Sequence, residues 1–276
     1  MSFVIENGAL TGYTGNETDI VIPAEVTSCA GAPAFLGREE PFTVTLSPNM
    51  SCRFGDLLSE GIAVINIPAG TKFTCSDCSP NSGSFFKLLK QINVDPANES
   101  CASVDGILYS KDMTILYACP AAYVGDVKIP TTVTTIARRA FSGCKLIKEI
   151  ALPESVTTIE EQAFADCKAL KKLILSDKLT SVGKEAFLRC GKITSAGPKG
   201  GKKNKFNLEF PWSVKIQENA FSGLKSLKQV VLPETVTEIG KNAFKACKAL
   251  ESINLPANVK CDKKLFKDCV KLSVGE

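Results

Sequence analysis

Apolar residues return at a fixed interval through the second half of the chain. Residues 152–174 read LPESVTTIEEQAFADCKALKKLI and residues 232–254 read LPETVTEIGKNAFKACKALESIN, with the same 23-residue length and the same apolar positions. Residues 129–151 give a third copy, and residues 175–197 begin a fourth. A period of this length predicts a solenoid, because one copy cannot bury its apolar side chains alone and stacked copies share one core.

Two local patterns within each copy predict its secondary structure. Around Leu173 and Leu175 the pattern has a period of two, which is typical of a strand. Ala163, Phe164 and Cys167 have a helical or 3-10 spacing. We therefore expect one short strand per turn, aligned in a parallel sheet with a step of about 4.8 Å. Short helical or 3-10 segments should lie on the opposite side of a right-handed coil.

The repeated signature A-F-x-x-C-x-x-L-x-x-I-x-L-P-x-x-V-x-x-I resembles that of the BspA-like leucine-rich repeats, which are related to the treponemal repeat class. The signature is specific over residues 129–272. Residues 3–10 and 104–112 look like the hairpins interspersed in that family, and Asp105-Gly106 is a favourable turn dipeptide. The resemblance implies an α/β fold, a right-handed leucine-rich-repeat solenoid with interspersed β-hairpins.

The resemblance extends over nearly the whole chain, so we expect residues 1–276 to form a single solenoid of about ten turns. Residues 1–128 carry degenerate repeats with the hairpins, and residues 129–272 carry the regular 23-residue repeats. Residues 47–101 lack the A-F-x-x-C element. An insertion at residues 197–210 interrupts one regular repeat.

Charge and composition argue against several classes of function. The chain has 33 basic and 29 acidic residues, and the net charge of +4 gives no strong field for nucleic acid or a membrane surface. Histidine is absent, which removes the commonest general base and metal ligand. Without an activated nucleophile or a phosphate-binding glycine loop, the sequence predicts no catalysis and no cofactor.

Membrane insertion is not expected, because no segment approaches the roughly 20 apolar residues that a bilayer-spanning helix needs. The segment from Met1 to Gly8 lacks the basic start and apolar core of a secretory signal. The family that the chain resembles includes bacterial and protist surface proteins associated with adhesion to host matrix proteins and to other cells. The resemblance therefore implies a cell-surface or secreted scaffold that binds a protein or a glycan, and we expect a monomer.

Twelve cysteines raise the question of metal or redox chemistry. Five of them follow the motif phenylalanine by three residues, and because a leucine takes this slot in one copy, we expect buried thiols there. The five are Cys144, Cys167, Cys190, Cys247 and Cys269. Cys75 and Cys78 form the one C-x-x-C pair, so the alternative function is a metal-binding or thiol-redox protein that uses them with Cys52 and Cys101. The sequence leaves open the redox state of Cys29, Cys52, Cys75, Cys78, Cys101 and Cys119.

Alternation within each strand predicts where a partner would bind. The residue before each strand-ending apolar position must face outward, away from the core. In the regular half of the chain these residues are Lys128, Ala151, Ile174, Glu209, Val231 and Asn254. The equivalent residues of the degenerate half include Thr45, Asn66 and Asn93. Solvent does not require apolar residues such as Ile174 and Val231 there, so this column is the candidate binding face.

The insertion is a second candidate, with Lys199, Lys202, Lys203 and Lys205. Insertions within repeats map to loops on one face and can bind partners. This loop has the charge to meet an acidic polysaccharide or phosphates. Its two adjacent glycines and single aromatic residue nevertheless favour a solvated, flexible loop.

Overall fold

Short strands joined by tight turns make up the chain, because the apolar positions of each copy are buried only when the copies stack. The computed structural model describes residues 3–29, 35–75, 86–176, 178–198, 207–209, 215–232, 236, 238–257, 259 and 263–272. The chain divides into two units, Met1–Tyr123 and Val124–Glu276. Together they hold about nine turns of a β-solenoid, close to the number expected, and the predicted solenoid is confirmed.

The first unit combines antiparallel hairpins with parallel strands. Its described elements are β1 (Phe3–Glu6), β2 (Ala9–Tyr13), β3 (Asp19–Val21), β4 (Ser28–Cys29), β5 (Phe42–Thr45), β6 (Ser51–Arg53), the 3-10 helix η1 (Phe54–Leu57), β7 (Ile62–Ile67), β8 (Lys72–Thr74), β9 (Gln91–Val94), β10 (Cys101–Val104), β11 (Ile107–Ser110) and β12 (Ile115–Ala118). Strands β3, β5, β7 and β9 form a parallel sheet. Strands β10, β11 and β12 pair antiparallel.

Both predicted hairpins are present. Asn7 and Gly8 link β1 to β2 with φ angles of 51° and 76°, and Asp105 and Gly106 link β10 to β11 with φ angles of 51° and 78°. Positive φ at both central residues is the mark of the type I′ turn, which matches the twist of two strands joined by a two-residue loop. Asn-Gly and Asp-Gly are found here because they adopt this backbone at low cost.

The described residues 47–75 and 86–101 form turns although they lack the A-F-x-x-C element. The side chains of Phe54 and Leu57 are buried, and so are those of Phe86 and Leu89. The rings of Phe54 and Phe86 meet edge to face, with centroids 5.9 Å apart. An F-x-x-L pair therefore takes the core positions that F-x-x-C takes in the regular repeats.

The second unit contains two parallel sheets. Its described strands are β13 (Thr135–Ile136), β14 (Glu149–Ala151), β15 (Thr158–Ile159), β16 (Lys172–Leu175), β17 (Ser181–Val182), β18 (Ser195–Pro198), β19 (Asn207–Glu209), β20 (Lys215–Ile216), β21 (Gln229–Val231) and β22 (Ser252–Asn254), followed by the 3-10 helix η2 (Lys263–Phe266). One sheet has the order β14-β16-β18-β19-β21-β22. In the other, β13 pairs with β15, β15 with β17, and β17 with β20.

A regular turn of the second unit thus contributes two strands where the sequence predicts one. The second strand comes from the V-x-x-I part of the signature, for example β15, and is only two residues long. The expected helical segments are tight turns and 3-10 helices, and no α-helix occurs in the described parts of the chain. Within these parts, no helix is long and apolar enough to cross a membrane.

The A-F segment has apolar residues at helical spacing although it does not form an α-helix. The N–H groups of Ala140 and Cys144 donate to carbonyls three residues earlier, at 3.1 Å each. Those of Arg139, Phe141 and Gly143 donate instead to carbonyls of the next turn, at 3.1, 2.7 and 2.8 Å. Alternate N–H groups therefore close local turns and link neighbouring turns, so the segment is part of the ladder that joins the coil.

This alternation requires a left-handed backbone on both sides of the motif phenylalanine. In one copy φ is 55° at Gln162 and 59° at Asp166. At the second of these positions other copies have Gly143, Gly223 or Ala246, with φ of 73°, 79° and 57°. A residue with a side chain pays about 1–2 kcal/mol for this conformation. The hydrogen bonds between turns stabilise the backbone against that cost.

The motif phenylalanines stack on one another through the second unit. The stack consists of Phe141, Phe164, Phe187, Phe221 and Phe244, with centroids 5.0, 5.1, 5.3 and 5.5 Å apart and planes within 10° of parallel. The motif thiols lie beside it. Cys167 Sγ donates to Phe141 O at 3.0 Å, and Cys190 Sγ donates to Phe164 O at 2.8 Å. The buried-thiol prediction is confirmed for Cys144, Cys167, Cys190 and Cys247, whereas Cys269 is only partly buried.

We predict that Cys167 and Cys247 resist alkylation in the native chain, because both thiols are buried, and burial raises the pKa of Cys167. Replacing Cys167 by Ala should lower the free energy of unfolding by about 1–2 kcal/mol through a cavity and a lost hydrogen bond. Denaturant unfolding and timed maleimide labelling measure the two effects. Rapid native labelling of both thiols would contradict this packing, and the half-buried Cys269 is the internal control.

We also predict that Ala246→Gly raises the free energy of unfolding by about 0.5–1 kcal/mol, since glycine removes the Cβ penalty at a φ of 57°. The turn-to-turn bond from Ala246 N to Lys267 O, at 2.7 Å, needs no side chain. Ala243→Gly is the matched control and should destabilise, because Ala243 is buried and is not among the described residues with positive φ. Equal destabilisation by both substitutions would contradict the proposed role of the left-handed position.

Candidate binding face

The six-stranded sheet of the second unit has one face in the core and one face outward. Ile150, Leu173 and Val230 lie within β14, β16 and β21, and their side chains are buried. Because side chains alternate along a strand, the residues on either side of each point outward. The outward face therefore carries two columns of side chains across the strands.

One outward row contains four small or apolar residues. Backbone pairing aligns the predicted residues of β14 to β22 in a single row across the sheet. In order, the row holds Ala151, Ile174, Gly197, Glu209, Val231 and Asn254. Ala151 is exposed, and Ile174 and Val231 are partly exposed. We call Ala151, Ile174, Gly197 and Val231 the apolar column.

Two expectations about this row need correction. Lys128 is exposed, but it lies in no strand, so the sheet begins at β14 with Ala151. The predicted row has Glu209 directly after Ile174, but β18 lies between β16 and β19 and places Gly197 between these two residues. The insertion therefore adds a strand to this sheet, whereas in the other sheet β17 pairs directly with β20.

The four lysines of the predicted basic loop belong to the segment between β18 and β19. Lys199, Lys202, Lys203 and Lys205 lie outside the described residues. The segment 199–206 connects two strands that are adjacent and parallel in the sheet. A binding role for this loop stays a prediction.

Paired charges border the apolar column. Glu149 and Lys172 are neighbours at the starts of β14 and β16, and they form an ion pair. Lys228 and Glu251, which precede β21 and β22, form another at 3.6 Å. All four side chains are about half exposed, so each pair adds little to stability. Their effect is to leave an apolar row beside charges that are already neutralised.

Asn254, at the last strand of the sheet, uses its amide within the chain. Its Nδ2 donates to Leu232 O at 2.7 Å, and its Oδ1 accepts from Leu232 N at 2.6 Å. The side chain thus satisfies the backbone of the preceding turn in the way that another strand would. We therefore assign it to the end of the ladder rather than to the apolar column.

The equivalent row of the first unit is polar and bonded to itself. Asn66 Nδ2 donates to Thr45 Oγ1 at 3.0 Å, and Asn93 Nδ2 donates to Asn66 Oδ1 at 2.8 Å. Gln91 Nε2 donates to Asn93 Oδ1 at 2.7 Å. The two units therefore present different side chains at the same position of the repeat. This difference is recognisable only when the register of the strands is known.

Three carboxylates of the second unit, those of Glu160, Glu161 and Asp166, are bonded by arginines of neighbouring turns. Arg138 donates to Glu160 from its backbone N at 2.8 Å and to Glu161 from its guanidinium at 3.3 Å. Arg189 binds Asp166 through two nitrogens, with Nε to Oδ1 at 2.8 Å. These acids are tied to the scaffold, and the arrangement resembles a structural ion-pair network rather than a catalytic pair.

The cysteines of the alternative function do not come together as a described metal site. Cys78 lies outside the described residues, and burial raises the pKa of the Cys75 thiol. Cys52 and Cys101 are buried. Across the residues that the structure describes, no group of three or more His, Cys, Asp or Glu side chains could hold a metal ion, and Cys52, Cys75 and Cys101 form no disulfide there.

Comparison with known structures finds the same architecture. A crystal structure of a leucine rich cell surface protein from Faecalibacterium prausnitzii A2-165 has 25% identity and a TM-score of 0.66, over 86% of this chain and 59% of that one. A leucine-rich repeat protein from Eubacterium ventriosum ATCC 27560 has 23% identity and a TM-score of 0.67, over 94% and 77%. The pneumococcal vaccine antigen PcpA has 18% identity and a TM-score of 0.54, over 95% and 87%. The chain thus spans less than two thirds of the first of these proteins.

Sequence comparison identifies the family. Curated proteins give no significant match. A family model described as a BspA type leucine rich repeat region matches six copies, over residues 117–200 and 201–274, which is more than half of the chain. The stacked Phe141 to Phe244 and the thiols beside them are the structural form of that repeat. The chain therefore belongs to the BspA-type leucine-rich repeat family.

Proposed function

We propose that the protein is a non-catalytic, monomeric scaffold that binds a partner protein through the apolar column. The observation that carries this proposal is the placement of Ile174 and Val231 on the outward face of one parallel sheet. Neither residue is needed there to fill the core, which Leu173 and Val230 fill from the opposite face. An extended sheet of this kind is the surface that solenoids use for binding.

A protein suits this surface better than a glycan. Protein interfaces combine an apolar centre with a polar rim, which is the arrangement of the apolar column beside the Glu149–Lys172 pair. The side chains of the column have no hydrogen-bonding groups with which to recognise sugar hydroxyls. Glycan binding is therefore the second outcome to test.

A role in adhesion at the cell surface follows from the same proposal. The Faecalibacterium prausnitzii neighbour is named a cell surface protein, and its fold matches this chain over most of its residues. A repetitive scaffold without a catalytic group is suited to holding a partner in place rather than changing it. We infer that the partner is a macromolecule met outside the cell.

The test replaces Ile174 and Val231 together by Asp and measures binding to a panel of extracellular matrix proteins and a glycan array. Affinity for the protein partner should fall at least tenfold, because a carboxylate at the centre of an interface costs more than about 1.4 kcal/mol to desolvate. Circular dichroism and the thermal midpoint should stay unchanged, since both side chains are partly exposed.

The control is Val124→Asp with Val270→Asp, which places the same charges on apolar side chains that are 78% and 77% exposed and lie outside every strand. This variant should bind normally. If the Ile174 and Val231 variant also binds normally, and neutralising Lys202, Lys203 and Lys205 removes binding, the insertion is the site and the proposal is wrong.

A further inference from the structure

Two cysteines of the first unit lie on neighbouring strands. Cys29 ends β4, and Cys52 is the central residue of β6. The two strands are joined by a hydrogen bond from Ser51 N to Thr27 O, at 2.9 Å. The two strands belong to successive turns, so backbone pairing alone places the two cysteines near each other.

The register of these strands sets Cys29 beside Cys52. One turn later, Lys72 N donates to Met50 O at 2.9 Å, and in that parallel pair Ser51 is aligned with Lys72 and Cys52 with Phe73. The bond from Ser51 to Thr27 has the same form, so it aligns Ser28 with Ser51 and Cys29 with Cys52. Aligned residues of neighbouring strands point to the same face. Neighbouring strands are typically spaced about 4.8 Å apart, and disulfides span Cα separations of about 4.4–6.8 Å, so this register is compatible with a disulfide.

The two thiols differ in their surroundings. Cys52 is buried, with 3% of its surface exposed, whereas Cys29 is partly exposed. Cys52 Sγ donates to Arg53 O at 3.5 Å, and interaction with the Cys52 thiol lowers the pKa of Cys29, against the opposing effects of burial and of the Asp56 carboxylate. The interaction with Cys29, together with burial, raises the pKa of Cys52. Cys29 is therefore the accessible nucleophile, and Cys52 is a protonated thiol directly behind it.

We propose that Cys29 and Cys52 are a modification site at which a low-molecular-weight disulfide, such as oxidised glutathione, forms a reversible bond between β4 and β6. The Cys29 thiolate attacks one sulfur of the disulfide, which breaks the S–S bond, releases one glutathione thiolate and leaves a mixed disulfide on Cys29. Cys52 then attacks the Cys29 sulfur, and its proton leaves with the second glutathione. Two protein thiols are oxidised, and one disulfide is reduced to two thiols.

The buried thiols of the second unit show that two neighbouring cysteines do not by themselves make a modification site. Cys167 and Cys190 also occupy successive turns and interact, but they are 1% and 0% exposed. Each donates its S–H to a carbonyl of the phenylalanine stack. No reagent reaches them without local unfolding, so they form a matched pair that should not react.

The test incubates the reduced, full-length chain with oxidised glutathione, blocks the remaining thiols with N-ethylmaleimide and maps the peptides by mass spectrometry. We expect a Cys29–Cys52 linked pair that reduction reverses, and no link between Cys167 and Cys190. The bond closes a loop of the unfolded chain, so the thermal midpoint should rise on oxidation. Because this experiment uses the chain without substitutions, it tests the proposal even if a cysteine variant fails to fold.

Two variants test the order of attack. Cys52→Ala should accumulate the glutathione adduct on Cys29, because the resolving thiol is missing, and Cys29→Ala should leave Cys52 unmodified. A link from Cys29 to a different cysteine, a stable adduct on Cys29 in the unmodified chain, or equal reaction of Cys167 with Cys190 would each overturn the proposal.

Discussion

Hydrogen bonds between successive turns are the constraint on which the rest of the structure depends. They run through the parallel sheets and also through the A-F segment, where Phe141 N and Phe164 N donate to the next turn at 2.7 and 2.8 Å. Such a ladder holds the turns near the strand spacing of about 4.8 Å. Side chains at equivalent positions are then neighbours whether or not they attract each other. Each column must be filled with residues that tolerate this proximity.

The columns meet this requirement in different ways. Phenylalanine rings stack, thiols donate to the carbonyls beside them, and the amides of Asn66 and Asn93 bond to one another. Like charges directly opposite each other destabilise neighbouring strands, whereas opposite charges stabilise them. One charged column accordingly alternates in sign, as Arg138, Glu161, Lys184 and Glu218. Its ion pairs measure 3.3 Å between the first two residues and 3.8 Å between the last two.

Sequence periodicity predicts the parts of the fold that every turn shares. It reveals the coil, the core positions and the outward row, since all of these follow from alternation and a fixed period. It predicts a helical or 3-10 segment at Phe164, and the structure has a tight turn there, whose i to i−3 bonds give this spacing while alternate N–H groups bond the next turn. Two-residue strands such as β15 are too short for any period to show. The F-x-x-L pair of Phe54 and Leu57, by contrast, has a recognisable spacing that a search for A-F-x-x-C overlooks.

Strand β18 is the element of the candidate site that sequence rules disfavour. It ends in Gly197 and Pro198, which weaken a strand when considered alone. Pairing with β16 stabilises β18 despite its low strand propensity, since four aligned residue pairs join the two strands. Only the register of the neighbouring turn, which a single sequence does not display, could have placed it.

The extra strand in this sheet also affects which partners the candidate binding face can recognise. A core that is the same in each turn cannot distinguish one partner from another, so specificity must come from positions where the turns differ. Between Ile174 on β16 and Val231 on β21 lie β18 and β19, a separation of three strand steps or about 14 Å. The strand next to Ile174 presents Gly197, which has no side chain, so the backbone of a partner can approach the sheet at this position. A ligand that contacts both apolar residues must bridge this distance, which favours a folded protein or an extended segment over a single small group.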